Sequence, residues 1–192
     1  MRILLQTARL ALREFTADDA GLLVELDADP RVMRYISNGV PAPRTLIEAE
    51  HLPAYLACHR AGPDFGFRVA QLRGTGAFAG WFHLRPEPGT PASEPELGYR
   101  LRHEFWGRGL AAEGARALVA HGFSVPSVTR IPARTMAVNT ASRLVMEKCG
   151  MDLVRHFTAD WPVHIDGDEL GDVEYAITRE RWLADRQALP AP

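Results

Sequence analysis

The chain has 192 residues, 46% of them hydrophobic and 24% charged, which is the composition of an ordinary globular protein. A chain of this length buries a core that needs neither disulfides nor a structural metal, so we expect one domain over residues 1–192. Its 22 basic and 24 acidic residues give a net charge of −2, which argues against a nucleic-acid partner bound through a broad basic face.

The cysteines, the histidines and the first residues indicate the cellular setting. Cys58 and Cys149 show neither metal-ligand spacing nor a secreted-type disulfide framework, and the seven histidines contain no H-x-x-x-H pair. The start, "MRILLQTARLAL", has too short an apolar run for a signal peptide, and no segment approaches the roughly 20 apolar residues of a membrane span. We therefore predict a cytoplasmic protein with no metal site and no membrane partner, in which Cys149 packs in the core.

The first third of the chain predicts a strand followed by helices. Residues Arg9 to Phe15 alternate between apolar and polar, as a half-buried strand does. Thr16 is a suitable N-cap for the helix "ADDAGLLVELDAD". A short helical piece ending in "YISNG" follows, and then a helix from about Thr45 to Arg60.

The remaining two thirds predict a meander of strands and then alternating strands and helices. "FGFRVAQLR" and "AFAGWFHLRP" are strands joined by "GTG", and a Pro-rich loop, "PEPGTPASEPE", separates them from the strand "ELGYRLR". A helix from about Gly109 to Phe123, the strand "VTRIPARTMA" and a helix closed by Gly150 follow. Two more strands and a short terminal helix complete a fold of the α+β class.

The junction "WGRGLAAE" places Gly107, Arg108 and Gly109 between a strand and a helix. The first turn of a helix leaves about four backbone N–H groups without partners, and this one has no Ser, Thr, Asp or Asn to cap them. Gly109 has no Cβ, the helix dipole favours an anion there, and Arg108 adds a positive charge. These features predict a phosphate-binding turn. The alternative is a tight turn without a ligand.

The same junction resembles the acyl-CoA pyrophosphate loop of the GNAT N-acetyltransferase superfamily, Q/R-x-x-G-x-G/A. Trp106 stands where the family has Gln or Arg, which is typical of the ribosomal-protein acetyltransferase (RimJ/RimL-like) branch. "TARLALREFTADDA" is similar to that branch's first strand and helix, and "VNTASRLVMEKCGM" to its second cofactor-binding helix. The resemblance covers residues from about Thr7 to Trp182.

The resemblance implies a GNAT fold, with a central mixed, mostly antiparallel sheet of about seven strands and helices on both faces. It implies acetyl transfer from acetyl-CoA to a primary amine by direct attack in a ternary complex, without a metal. Arg143, together with Lys148, is a candidate for the outer phosphate, although both also suit a solvated helix face. The other implied acetyl-CoA contacts are the amides of Arg108, Gly109, Leu110, Ala111 and Ala112, the strand residues Leu101, Arg102 and His103, and Asn139.

The chemistry requires a base for the amine and a proton for the leaving thiolate. Many GNAT proteins carry a proton-donating Tyr where this chain has Met146, so Ser142, one helical turn earlier, is the candidate donor. Ser142 is equally suited to bond a backbone carbonyl one turn back. Glu96 is the leading candidate base, and the alternative is a solvated carboxylate at the end of a strand. Glu174 and His83 are weaker candidates, and a chain of waters is the remaining alternative.

The acceptor is expected to be a protein N-terminus or a small amine. Its site would lie among the early helices, the Pro-rich loop and "TADWPVHIDGDEL", whose acidic residues suit a cation or form a polar hairpin loop. A different class of function is a non-catalytic acyl-CoA sensor or a degenerate GNAT protein. A homodimer is plausible from family analogy alone. The acidic residues of the loop are Asp160, Asp166, Asp168 and Glu169.

Overall fold

A computed structural model describes residues 2–61, 64–159, 161 and 163–188. Its strands are β1 (Ile3–Gln6), β2 (Leu10–Glu14), β3 (Gly66–Leu72), β4 (Phe78–Arg85), β5 (Glu96–Leu101), β6 (Arg130–Met136), β7 (Asp152–Phe157) and β8 (Asp172–Thr178). Its α-helices are α1 (Ala20–Asp27), α2 (Pro30–Ser37), α3 (Arg44–Leu46), α4 (Leu52–Ala61), α5 (Leu110–Ser124), α6 (Thr140–Lys148) and α7 (Arg179–Ala188).

The strands form two sheets, one in the order β1-β2-β3-β4-β5 and the other in the order β6-β8-β7. Every hydrogen-bonded strand pair in them is antiparallel. β5 and β6 run side by side in the same direction only at their start, where the amides of Thr129 and Arg130 donate to the carbonyl of Ser93 at 2.9 and 3.4 Å. The expected α+β arrangement is confirmed. In place of the expected single sheet of about seven strands, the described residues form eight strands in two sheets, and the break between the sheets lies between β5 and β6.

Helices cover both faces of the larger sheet, as expected. The apolar stripe of α5 packs against β4, where a Cβ at Gly114 would overlap the ring of Phe82 and one at Gly122 would lie 2.7 Å from Leu84 Cδ2. These two glycines therefore allow the helix to approach the sheet closely. On the opposite face a second core joins α1, α2 and α4 to the sheet, and its buried residues are Phe15, Leu23, Leu26, Val32, Ile47, Leu52, Phe67, Val69, Phe78 and Trp81.

Two local expectations differ from the structure. The helix expected from Thr45 to Arg60 is interrupted by a π-helical turn, Ile47–His51, between α3 and α4. Pro53 lies just beyond it and has no N–H to donate to the preceding turn, which explains the change in hydrogen bonding. β1 was not expected, because its four residues are half-exposed and too short to show alternation.

Candidate active site

A cavity of about 980 Å³ occupies the gap where β5 and β6 separate. It is lined by α2, β4, β5, the loop before α5, the first turn of α5, β6, α6 and the segment after β7. Tyr99 and Glu96 both line it although alternate residues of a strand face opposite sides. The cavity therefore passes between the sheets from the α5–α6 face to the α1–α2 face.

The glycine loop forms one end of this cavity. Gly107 and Gly109 have φ angles of +70° and +76°, which non-glycine residues rarely adopt, and Gly109 is the N-cap of α5. No side chain caps the helix, so the amides of Leu110, Ala111 and Ala112 are left for an external acceptor. All three residues line the cavity. The loop has the form of an anion site built from backbone amides.

Arg108 does not line this cavity, in contrast to its expected role. Its guanidinium lies 5.5 Å from the ring centre of Phe105. The guanidinium that reaches the loop belongs to Arg9, whose Nη1 donates to the Arg108 carbonyl at 2.9 Å. Arg9 Nη2 would be 3.5 Å from a Cβ at Gly109. The positive charge beside the helix N-terminus thus comes from the turn between β1 and β2.

The three strand residues expected along the pantetheine arm divide between two environments. Leu101 and His103 line the cavity, and the Leu101 carbonyl accepts a hydrogen bond from Trp106 Nε1 at 2.8 Å. Trp106 therefore ties the glycine loop to the end of β5. Arg102 does not line the cavity, because its amide donates to the carbonyl of Ala79 at 2.9 Å and its guanidinium pairs with Glu25 at 2.8 Å.

Two hydroxyl groups meet in the cavity, that of Ser142 at the start of α6 and that of Tyr99 on β5. Asn139 caps this helix through a 3.2 Å bond from the Ser142 amide. Ser142 Oγ lies 3.0 Å from the Tyr99 hydroxyl, which also donates to the Ser142 carbonyl at 3.0 Å. Burial raises the pKa of Tyr99, so it stays protonated. Sequence reasoning missed Tyr99, although the alternation of β5 places it on the face opposite Glu96.

The other residues of α6 differ in their relation to the cavity. Arg143 does not line it, because its guanidinium bonds the Tyr175 hydroxyl at 3.2 Å and the Ala137 carbonyl at 3.1 Å. Lys148 does line it. Met146 is buried, and burial raises the pKa of the Cys149 thiol to about 11, so Cys149 is a core residue and not a nucleophile.

Glu96 combines cavity access with an altered acidity. Burial raises its pKa to about 7, against the opposing influence of Arg134, whose Nη1 lies 3.0 Å from Glu96 Oε2. Its side chain is 16% exposed. A carboxyl group with this pKa exchanges a proton readily near neutral pH, which is what a general base requires.

The two weaker candidate bases are unsuited to that role. Glu174 does not line the cavity, and although burial tends to raise its pKa, hydrogen bonds from Arg130, Arg155 and Arg134 lower it to about 2. His83 lines the cavity, but burial lowers its pKa to about 3, so its ring is neutral and weakly basic.

Of the expected carboxylates of the acidic loop that the structure describes, Asp166, Asp168 and Glu169 do not line the cavity. Asp166 bonds Asn38, and Asp168 bonds His164 and the Ile165 amide. Asp160 lies outside the described residues. Besides Glu96, the carboxylate among the described residues that lines the cavity is Asp172, at the start of β8.

The described residues show neither a metal site nor a membrane-crossing helix. They contain no group of three or more His, Cys, Asp and Glu side chains arranged to hold a metal ion. None of the described helices combines the length and the apolar character that a membrane crossing requires.

Comparison with known proteins identifies the family. The sequence pattern of the Acetyltransferase (GNAT) domain matches residues 9–152, which is most of the chain. The chain belongs to the GNAT acetyltransferase family. The cavity between the divided sheets is therefore the candidate active site of a GNAT acetyltransferase.

Two relatives in sequence support this membership. The chain is 38% identical over 186 residues to the FsC-acetyl coenzyme A-N(2)-transacetylase of Aspergillus fumigatus, covering 93% of this chain and 77% of that protein. It is 29% identical to the N-acetyltransferase YnaD of Bacillus subtilis, covering 92% and 97%.

The GNAT fold is shared with many solved structures. A GNAT acetyltransferase from Bacillus anthracis superposes with a TM-score of 0.75 at 24% identity, covering 94% of this chain and 99% of that one. The ribosomal L7/L12 acetyltransferase RimL, solved with coenzyme A, superposes with a TM-score of 0.73 at 17% identity, covering 92% of this chain and 98% of that one. At these identities the likeness is one of fold.

Proposed function

We propose that this GNAT acetyltransferase transfers the acetyl group of acetyl-CoA directly to a primary amine, with Glu96 as the general base. The observation that carries the proposal is the single cavity that joins the uncapped start of α5 to Glu96 through the gap between β5 and β6. It gives a phosphorylated carrier a binding end on one face, and it gives an amine access to a base from the other.

The glycine loop suits the pyrophosphate of acetyl-CoA. The amides of Leu110, Ala111 and Ala112 donate to an anion at the positive end of a helix fifteen residues long. Leu101, His103 and Asn139 line the continuation of the cavity toward Ser142, where the pantetheine arm would lie. Acetyl-CoA supplies an activated thioester, so the chain itself has to bind, orient and move protons.

Glu96 accepts the proton that the amine loses when it attacks. Only the neutral amine is nucleophilic, and a carboxylate with a pKa of about 7 is largely ionised at the pH of a cell. The proton reaches Glu96 directly or through one water. Arg134, bonded to Glu96, keeps the carboxylate oriented toward the cavity.

The hydroxyl pair serves the leaving sulfur on the opposite side of the gap. When Tyr99 turns its single proton from the Ser142 carbonyl to Ser142 Oγ, the Ser142 proton is free to bond the thiolate as it departs. Tyr99 then holds the serine in place, because its own proton is retained at all working pH values. This pair takes the role of the proton-donating tyrosine that many GNAT proteins carry where this chain has Met146.

A small-molecule amine is the proposed acceptor. The Aspergillus fumigatus relative is by name an acetyl coenzyme A-dependent N(2)-transacetylase, and it shares 38% identity over most of this chain. A protein N-terminus is the second candidate, suggested by the fold likeness to RimL. The two are separated by assaying small amines beside short peptides with free N-termini.

Calorimetric titration of acetyl-CoA into the wild type and into Gly109→Glu tests the donor site. The substitution places a like charge where the pyrophosphate would lie, and at least tenfold weaker binding is expected. Gly89→Glu is the matched control, because Gly89 also has a positive φ (+80°) and open space around it but lies in the Pro-rich loop. Absence of acetyl-CoA binding to the wild type would overturn the proposal.

Release of free CoA thiol in the presence of amines tests the reaction. A non-catalytic acyl-CoA sensor would bind acetyl-CoA through the same loop and release no thiol with any amine. Turnover that requires both an amine and Glu96 excludes the sensor, and binding without turnover across the amine panel establishes it.

A further inference from the structure

Asp172 is a buried carboxylate at the acceptor end of the cavity, and no cation among the described residues pairs with it. It is the first residue of β8, is 4% exposed, and lines the cavity. Trp161 Nε1 donates to its Oδ2 at 3.1 Å. Among the described residues no other hydrogen bond and no ion pair involves its side chain, so its Oδ1 is left for a group that enters the cavity.

Glu174, the neighbouring acid on the same face of β8, is paired with cations, in contrast to Asp172. Glu174 lies two residues further along β8 and thus points to the same side of the sheet. Three arginines neutralise it, with N···O distances of 2.5 Å to Arg130, 3.0 Å to Arg134 and 2.9 Å to Arg155. A buried carboxylate is costly unless it is paired. The fold supplies cations to Glu174 and leaves Asp172 to receive one from outside.

The surroundings of Asp172 suit an ammonium group. Trp161 and Phe157 line the cavity beside it, and the indole N–H of Trp161 orients the carboxylate. An anionic oxygen with aromatic walls is the arrangement that binds alkylammonium ions through charge and cation–π attraction. Because Phe157 pairs directly with Asp172 across β7 and β8, the wall and the carboxylate are held by the same sheet.

The position of Asp172 relative to Glu96 indicates the length of the ligand. Glu96 is bonded to Arg134, which lies opposite Glu174, whereas Asp172 lies opposite Met136, two residues further toward the open end of the gap. Two strand residues correspond to about 7 Å along the strand, and β6 lies between β5 and β8, so the sideways offset makes 7 Å a lower bound for the separation. An amine that reacts beside Glu96 therefore needs at least several methylene groups before its second cation reaches Asp172.

We propose that Asp172 binds a second, non-reacting ammonium group of the acceptor, so that linear diamines of five or more carbons are preferred over monoamines. This inference rests on the proposed acetyl transfer near Glu96. It assigns the acceptor a charge and a length, which the reaction alone does not.

The experiment compares 1,5-diaminopentane with pentylamine, using the wild type, Asp172→Asn and Asp166→Asn. The asparagine keeps an oxygen for Trp161 but removes the charge. Asp166→Asn is the control, because it removes an equal charge from the nearby loop at a side chain that does not line the cavity. We expect at least a tenfold wild-type preference in kcat/KM for the diamine. Asp172→Asn should abolish that preference through the KM of the diamine and leave pentylamine unchanged, while 1,3-diaminopropane behaves as a monoamine.

A binding measurement separates the inference from the reaction. Calorimetric titration of 1,5-diaminopentane into the CoA-saturated protein should show binding in the wild type and at least tenfold weaker binding in Asp172→Asn. Acetylation of both amines with equal kcat/KM by the wild type would overturn the inference and leave the proposed function standing. Diamine binding that depends on Asp172, without acetylation of the diamine, would support the ammonium site at Asp172 and overturn the proposed function. Equal losses for both amines in Asp172→Asn would also overturn the inference.

Discussion

Arg9 and Glu113 join the turn between β1 and β2 to the first turn of α5. Arg9 Nε lies 2.6 Å from Glu113 Oε2, and the Arg9 amide donates to Oε1 at 2.8 Å. Thr7 Oγ1 donates to the same carboxylate at 2.5 Å. Partial burial tends to raise the pKa of Glu113, but these bonds outweigh it and lower the pKa. The start of α5 is thereby held in place by residues about a hundred positions away.

Arg9→Ala should weaken acetyl-CoA binding about tenfold with little loss of stability. Arg9 is half-exposed, so its ion pair contributes at most about 1 kcal/mol to folding. Its guanidinium is nevertheless the positive charge beside the Gly109 loop, and it bonds the Arg108 carbonyl. Calorimetry measures the affinity and urea denaturation the stability. Arg73→Ala is the control, because Arg73 bonds the Thr7 carbonyl of the same turn but not Glu113.

Acetyl-pantetheine, which lacks the pyrophosphate, tests whether Arg9 acts on the pyrophosphate end of the donor. If its KM rises in Arg9→Ala as much as that of acetyl-CoA, Arg9 does not act on the pyrophosphate end, and the effect is a general one on the loop.

Glu174→Gln should lower the free energy of unfolding by about 2 kcal/mol at pH 7. Breaking a fully buried ion pair costs roughly 3–5 kcal/mol, and the smaller value reflects the partial exposure of its arginines. The pKa of Glu174 in the folded state is about 2, below its ordinary 4.5, so its contribution is complete above pH 4.5 and lost as the pH falls toward 2. Urea denaturation of the wild type and Glu174→Gln at pH 7 and pH 2 measures the difference.

Glu94→Gln is the matched control for Glu174, because Glu94 pairs with Arg130 alone and is 32% exposed. It should cost less than about 1 kcal/mol. A difference between wild type and Glu174→Gln that is as large at pH 2 as at pH 7 would show that the charge of Glu174 is not what stabilises the sheet.

The fold was largely predictable from the sequence, because most elements carry a clear period and a clear boundary. The apolar stripe of α5, the "GTG" turn between β3 and β4, and the glycine after α6 each predicted the bounds of an element to within a few residues. The division between β5 and β6 was not predictable. It depends on which backbone groups at a strand edge are paired, and this leaves no trace in the hydrophobic pattern.

The site was only partly predictable, since sequence distance is a poor guide to which side chains meet. Arg108 stands next to Gly109 in sequence, yet the guanidinium at the loop is that of Arg9, 99 positions from Arg108. The sequence analysis did not name Tyr99, and the alternation that puts it on the face opposite Glu96 gives no sign that the cavity reaches both faces. Asp172 was missed because the acidic residues of the loop before it were the expected cation site, whereas Asp166 bonds Asn38 and Asp168 bonds residues of its own loop.

Ser142→Ala should lower kcat about tenfold or more, and Tyr99→Phe by a smaller factor, with the acetyl-CoA Kd within twofold of wild type. The two hydroxyls act as a unit, so the double variant should be little slower than Ser142→Ala alone. Steady-state kinetics on the four proteins gives this cycle. Tyr175→Phe is the control, because Tyr175 also bonds residues of α6 but does not line the cavity. Additive losses in the double variant would contradict the shared role.

Glu96→Gln should lower kcat/KM by about 10² to 10⁴ and remove one ionisation from its pH profile. The pKa of Glu96, raised to about 7 mainly by burial, makes the wild-type rate rise with pH through that value as the carboxylate forms. Arg134 opposes the rise in pKa, so Arg134→Gln should move the same step to higher pH. The acceptor amine titrates far above this range, so its own step remains separate in the profile. A wild-type step near pH 7 that persists in Glu96→Gln would assign the base to another group or to water.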